Sequence, residues 1–222
     1  MHLPLKNRSE AGRLLAERLL ALHLPRPLLV VALPRGGVQV GAPVAQALGA
    51  PLDLCLVRKI GLPWQPEVAL AAVVDGQHPE VVVDDALLAV SEVEPDYIES
   101  QAVIALREIA RRREVYLHGR AALAVQGHTV IVVDDGIATG TTMRAALQAL
   151  RRQQPQRLIL GVPVAPQQSL DALAPLVDQL ICLATPEPFD AIGQFYADFH
   201  QLGDDEVLSA LDAAAAAIRK SA

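Results

Sequence analysis

The run VIVVDDGIATGTT, residues Val130 to Thr142, constrains this chain more than any other segment. Four successive apolar residues, rich in β-branched side chains, suit a strand covered on both faces, as the inner strands of parallel sheets are. Asp134 and Asp135 stand at its C-terminal end, the edge of an open α/β sheet where ligands bind. The loop that follows carries Gly136 and Gly140 and the hydroxyls of Thr139, Thr141 and Thr142. It opens into a helix reaching about Arg152, with Met143, Leu147 and Leu150 on one face. Free backbone N–H groups and the positive end of a helix dipole make such a loop an anion site. Glycine there lets the backbone close on a phosphate without a Cβ clash. Two carboxylates beside a phosphate cradle suit a sugar phosphate, accepting hydrogen bonds from vicinal hydroxyls or facing a hydrated Mg²⁺.

The rest of the chain repeats the strand–turn–helix rhythm of βαβ units. An amphipathic helix is expected over 7–22, with Asn7 as cap and Glu10 at the capping-box position. A buried strand over Leu28–Leu33, the turn Pro34-Arg35-Gly36-Gly37, a helix over Val38–Leu48 and a strand over Leu52–Val57 follow. Later come a helix over Asp96–Tyr116, strands over Leu158–Val164 and Leu180–Ala184 with a helix over Ser169–Val177 between them, and a closing helix over Asp205–Lys220. Residues 59–95 are punctuated by Gly61, Pro63, Pro66, Gly76 and Pro79. They read as a long, irregular, mobile segment with short strands near Val68–Val74 and Val81–Val83. The expected architecture is one α/β domain over 1–222, with a parallel sheet of about five strands flanked by helices. A small hood is expected from about 185–203 and part of 59–95.

The Asp-Asp run and its Thr-Gly-x-Thr loop resemble the signature of the type I phosphoribosyltransferases, including a group of bacterial members of unsettled substrate. In that family the run binds the ribose and 5′-phosphate of 5-phosphoribosyl-1-pyrophosphate (PRPP). The resemblance implies that Asp134 and Asp135 meet the ribose hydroxyls, with Mg²⁺ arriving on PRPP nearby rather than being held by the protein alone. Ala138, Thr139, Gly140, Thr141 and Thr142 become the 5′-phosphate loop. LPRGGV, residues Leu33 to Val38, resembles the pyrophosphate loop, so Arg35, Gly36 and Gly37 are implied there, with a non-proline cis peptide near Arg35-Gly36. Arg58 and Lys59 resemble the basic pair that orotate enzymes set near the pyrophosphate, and the segment after them takes the place of a mobile catalytic loop. Phe189 and Phe195 lie in an aromatic C-terminal stretch that such bacterial relatives share; stacking on the acceptor base and plain core packing are both open for them. The 6-oxopurine enzymes carry an acid in the phosphate loop where this chain has Ala138.

The implied activity is PRPP-dependent transfer of a phosphoribosyl group to a nucleobase-like acceptor, a place in nucleotide metabolism, with Mg²⁺ as cofactor. A non-catalytic regulator that binds PRPP or a nucleotide is the alternative that Ala138 keeps open. Composition narrows the partners. The net charge of −6 argues against a nucleic-acid or anionic-membrane surface. No apolar run reaches membrane-spanning length and no signal peptide is visible, so the expected setting is cytoplasmic. Cys55 and Cys182 sit in apolar runs and read as reduced, buried thiols. The six histidines lack metal-ligand spacing, and His78 is a loop residue of no assigned role. Arg111 to Arg113 read as a solvated helix end. The family resemblance leaves room for a homodimer. Because Asp134 and Asp135 repel each other, neutralising either is expected to leave the ligand-free fold unharmed.

Overall fold

The computed structural model describes residues 3–76, 79–118 and 122–221; His78 lies outside them. The first helix, α1 (Arg8–Leu20), is capped by Asn7, whose side chain accepts from the Glu10 N–H at 2.9 Å. The Glu10 carboxylate reaches back to the Lys6 N–H at 2.6 Å rather than to the cap residue itself. Strand β1 (Leu28–Ala32), helix α2 (Gly36–Leu48) and strand β2 (Leu52–Leu54) follow as the expected βαβ unit.

Five parallel strands form the main sheet: β2, β1, β6 (Thr129–Val133), β7 (Arg157–Val164) and β8 (Gln179–Ala184), in that order. The alternation of side chains along each strand divides the core. Leu28, Val30, Ala32, Ile131 and Val133 face α1, α2 and the closing helix, α7 (Asp204–Ser221). Leu29, Val31, Val130, Val132 and Leu160 face α5 (Thr141–Arg152) and α6 (Gln167–Leu173). Burial on both faces is why these strands read as unbroken apolar runs. From β1 the chain crosses to β2 on one side; from β6 it crosses to β7 and β8 on the other. The sheet therefore reverses direction between β1 and β6, where a crevice opens beyond the strand ends.

In the stretch after Lys59 the two expected short strands are present, but they belong to a larger regular unit than the irregular segment the sequence suggests. It is a three-stranded antiparallel sheet of β3 (Val57–Leu62), β4 (Gln65–Val74) and β5 (Glu80–Val83), with the short helix α3 (Asp85–Ser91) after it. The prolines do not break it. Pro63 falls in the turn, and Pro66 precedes the part of β4 that β5 joins, which begins at Ala71. An N–H is dispensable at such edge positions. Gly61 sits in the β-bulge that shifts the β3–β4 register. This sheet packs between α5 and α4 (Pro95–Leu117).

Arg113 corrects the reading of Arg111–Arg113 as a solvated helix end. Its side chain is only 15% exposed, donates to Asp75 at the end of β4 and lies 3.8 Å from Asp53 of β2. Asp53 also accepts from the Leu54 and Leu123 N–H groups at 2.8 and 2.6 Å. The cluster ties the antiparallel sheet to the parallel one, whereas Arg111 pairs on the surface with Glu108. Breaking a buried ion pair costs about 3–5 kcal/mol because a charge is stranded. Urea unfolding of Arg113→Ala should show a loss of about that size. Arg111→Ala should leave the unfolding midpoint nearly in place, and equal losses in the two variants would refute the anchoring role.

Candidate active site

Two loops meet in the crevice at the ends of β1 and β6. The Leu33 N–H donates to the Val133 carbonyl at 3.0 Å, so the parallel pairing runs up to the loops themselves. On one side lies Pro34–Gly37, with a cis peptide between Pro34 and Arg35, one bond earlier than expected. On the other lies Asp134–Gly140, which leads into α5. Gly140 has φ 75°, a left-handed conformation that favours glycine. Among the described residues, none accepts a hydrogen bond from the backbone N–H groups of residues 138–142. The loop is held from outside instead. The Ser169 hydroxyl donates to the Ala138 carbonyl at 2.5 Å, and the Ile137 N–H donates to Val164 at 2.9 Å. These contacts leave a set of free donors at a helix start, with Ala138 and Thr139 exposed.

The acidic pair is not equivalent. Asp135 is 9% exposed and receives the Arg8 Nε at 2.7 Å. Its backbone carbonyl accepts from the Tyr196 hydroxyl at 2.5 Å. Asp134 is half-buried, and its Oδ1 accepts from the Asp135 N–H at 2.8 Å. Burial raises both carboxyl pKa values. The adjacent Asp135 charge pushes Asp134 further up, while Arg8 pulls Asp135 back down. Burial also pushes the Tyr196 phenol up, which keeps it a donor.

Arg35 donates to the Leu202 carbonyl at 2.6 Å and lies 3.6 Å from Asp204, so the C-terminal segment holds the Pro34–Gly37 loop in place. Gly36 allows a close approach: a Cβ there would collide with the Asp135 carboxylate. Arg58 and Lys59, adjacent in sequence, point to opposite faces of β3. Arg58 lies 4.0 Å from Glu108 and shares a small cleft with Pro34. Lys59 stands opposite Ala72, which lines a cavity of about 460 Å³ walled on its far side by Thr141 and Arg144.

The aromatic stretch joins the N-terminus. Leu5 bridges to Tyr196 in parallel fashion, and Leu5, Ala11, Val164, Phe195 and Tyr196 form their own apolar cluster. Phe195 is 8% exposed within it and packs 4.8 Å from the half-buried Phe189. Phe199 stacks on Tyr196 and carries the Arg8 guanidinium 3.7 Å over its ring. Burial raises the Cys182 thiol to about 11 and raises Cys55 further, so both stay protonated near neutral pH. Among the described residues, no three His, Cys, Asp or Glu side chains are grouped to hold a metal. None of the described helices is long and apolar enough to cross a membrane.

Sequence reasoning does not select Arg8 or Tyr196. Arg8 reaches Asp135 across the whole fold and nothing in its local pattern marks it, while Tyr196 is marked only as part of the aromatic stretch and not for this contact.

A family model described as the phosphoribosyl transferase domain matches residues 8–180. The chain belongs to that family. A Mycobacterium tuberculosis protein named "Putative phosphoribosyl transferase" is 40% identical over 208 residues, which are 94% of this chain and 46% of that protein. The chain thus spans about half the length of the curated relatives it matches. The crystal structure of TT1426 from Thermus thermophilus is 38% identical, with a TM-score of 0.82 over 94% of this chain and 98% of that one. Both similarities extend across the parallel sheet and the crevice, and the family match begins at Arg8.

The structure revises the expectation that either aspartate can be neutralised without harm. Asp135→Asn strands the buried Arg8 charge and should cost about 3 kcal/mol in urea, the low end for a broken buried pair. Asp134→Asn keeps the oxygen that accepts from Asp135 and removes a repulsion, so its melting temperature should rise at pH 7. The native Asp134 carboxyl keeps a proton that the unfolded chain sheds near pH 4, so ligand-free stability falls as pH rises from there through its raised value. Asp134→Asn should flatten that fall, and an unchanged slope would show that Asp134 does not titrate as a buried group.

Proposed function

We propose that this chain transfers the phosphoribosyl group of PRPP to a nitrogenous base. The observation that carries the reading is the set of unbonded N–H groups over residues 138–142, set beside the Asp134–Asp135 strand end and facing the Arg35-Gly36-Gly37 loop. The 5′-phosphate would take the N–H groups and the hydroxyls of Thr139, Thr141 and Thr142. The ribose hydroxyls would donate to the acidic strand end. The pyrophosphate would extend toward Arg35, Gly36 and Gly37, with Lys59 approaching from one face of β3 and Arg58 from the other.

In the reaction the bond from C1 to the pyrophosphate oxygen breaks and a bond from C1 to the acceptor nitrogen forms. Positive charge develops on the ribose near the Asp134 carboxylate, and negative charge departs toward the cationic side chains. Fixed charges placed where charge develops lower such a barrier. Mg²⁺ arriving with PRPP near Asp134 and Asp135 would supply positive charge for the departing pyrophosphate. Phe189, with exposed surface, is the better placed of the two aromatic candidates for a base contact, since Phe195 is committed to packing. Protonated, reduced thiols fit a cytoplasmic setting. The non-catalytic regulator remains the rival, because Ala138 offers no carboxylate to move a proton at the base.

Mg-PRPP at 100 times its dissociation constant should stabilise the fold by about 2.7 kcal/mol. That corresponds to a rise in melting temperature of roughly 5–10 °C. Removing Mg²⁺ with a chelator should abolish the rise. So should Gly140→Val, which puts a β-branched side chain at φ 75°. Incubation with a panel of bases should release pyrophosphate in a base-dependent way. Binding without such release would favour the regulator, and no binding would remove the phosphoribosyl reading.

A further inference from the structure

Arg8 is 127 residues from Asp135 in sequence and lies beneath it in the fold. Its guanidinium is fixed from three directions. Nε donates to Asp135 Oδ2 at 2.7 Å, Nη1 donates to the His200 carbonyl at 3.0 Å, and the Phe199 ring covers one face at 3.7 Å. Its side chain is 10% exposed. Asp135 is pinned in turn, because its carboxylate fills the space that Gly36 leaves by lacking a Cβ. Asp134 makes no ion pair among the described residues.

We infer that Arg8 is a positioning residue for recognition of the ribose hydroxyls: it commits Asp135 to the protein and leaves Asp134 as the carboxylate presented to the sugar. The inference rests on the phosphoribosyl reading of this site. Two adjacent carboxylates with no cation beside them turn apart to relieve repulsion, and neither then holds a fixed direction. A planar guanidinium that divides its donors between the Asp135 carboxylate and the His200 carbonyl fixes the direction of its bond to the acid, which a point charge does not. Arg8 itself touches no ligand. It acts through Asp135, whose backbone N–H orients Asp134.

The test separates the sugar from the phosphate. Dissociation constants for inorganic phosphate, ribose 5-phosphate and 2-deoxyribose 5-phosphate are measured calorimetrically on the wild type, Arg8→Gln and Arg8→Lys. The wild type should prefer the ribose compound over its deoxy analogue. In Arg8→Gln that preference should fall about tenfold, the equivalent of one charge-assisted hydrogen bond. Inorganic phosphate, which meets only the 138–142 loop, should bind all three proteins alike. Arg8→Lys keeps the charge without the planar guanidinium, and its preference should fall between the other two. A wild type that binds none of these sugar phosphates would sink the phosphoribosyl reading and this inference together. A wild type that discriminates, with an Arg8→Gln that discriminates equally, would overturn the inference alone. So would a parallel loss of phosphate binding, which marks general damage. Should the glutamine variant not fold, the lysine variant decides: one indistinguishable from wild type overturns the positioning role.

Discussion

The in-register parallel pairing of β1 with β6 is the constraint from which the rest of the site follows. Leu28 stands opposite Thr129 and Ala32 opposite Val133, so the two strands end level. Their loops have to leave the sheet side by side. Because the crossovers then diverge to opposite edges, no helix is laid across the point where those loops leave the sheet. A loop of free N–H groups and a loop bearing a guanidinium come to face each other without either sequence segment encoding the other.

The same pairing creates an electrostatic difficulty. Two consecutive carboxylates at the end of a central strand lie close to an apolar core, where charge is poorly solvated. The fold answers with parts from far away: Arg8 from the first helix and Tyr196 from the C-terminal segment. Leu5 and Lys6 are hydrogen-bonded to Phe195, Ala197 and Asp198, so the N-terminal segment and the aromatic stretch close beside the acidic strand end together. The packing of Leu5 with Phe195 and Tyr196 sets where Arg8 stands. Core packing and the orientation of the acidic pair are coupled here through one guanidinium.

The antiparallel sheet is a second body of structure beside the crevice, and Arg113 is its anchor. Its cluster with Asp53 and Asp75 joins α4, β2 and the end of β4. That anchoring gives Lys59 a defined direction toward the α5 face and Arg58 a defined direction toward α4. A pair of basic residues that looks like one patch in sequence becomes two cations on opposite faces of β3.

The strands of the parallel sheet are legible because double-sided burial demands unbroken apolar runs, and such runs need no partner to be recognised. The loop that opens into α5 is legible because its glycines, hydroxyls and helix start are all local. Of the antiparallel sheet, the later part of β4 and β5 are legible as short apolar strands, whereas β3 and its hairpin are not, since Gly61, Pro63 and Pro66 carry the local marks of a loop. Arg113 escapes a local reading because three consecutive arginines near a helix end look alike, and which one turns inward depends on where Asp53 and Asp75 lie. By itself, then, the sequence determined the sheet, its loops and the acidic strand end, through periodicity and turn chemistry acting over a few residues. Only the tertiary structure decided that Asp135 is bound to Arg8, that Asp134 is the freer carboxylate and that Phe195 is core. Those outcomes depend on contacts between residues more than a hundred positions apart, which no local pattern records.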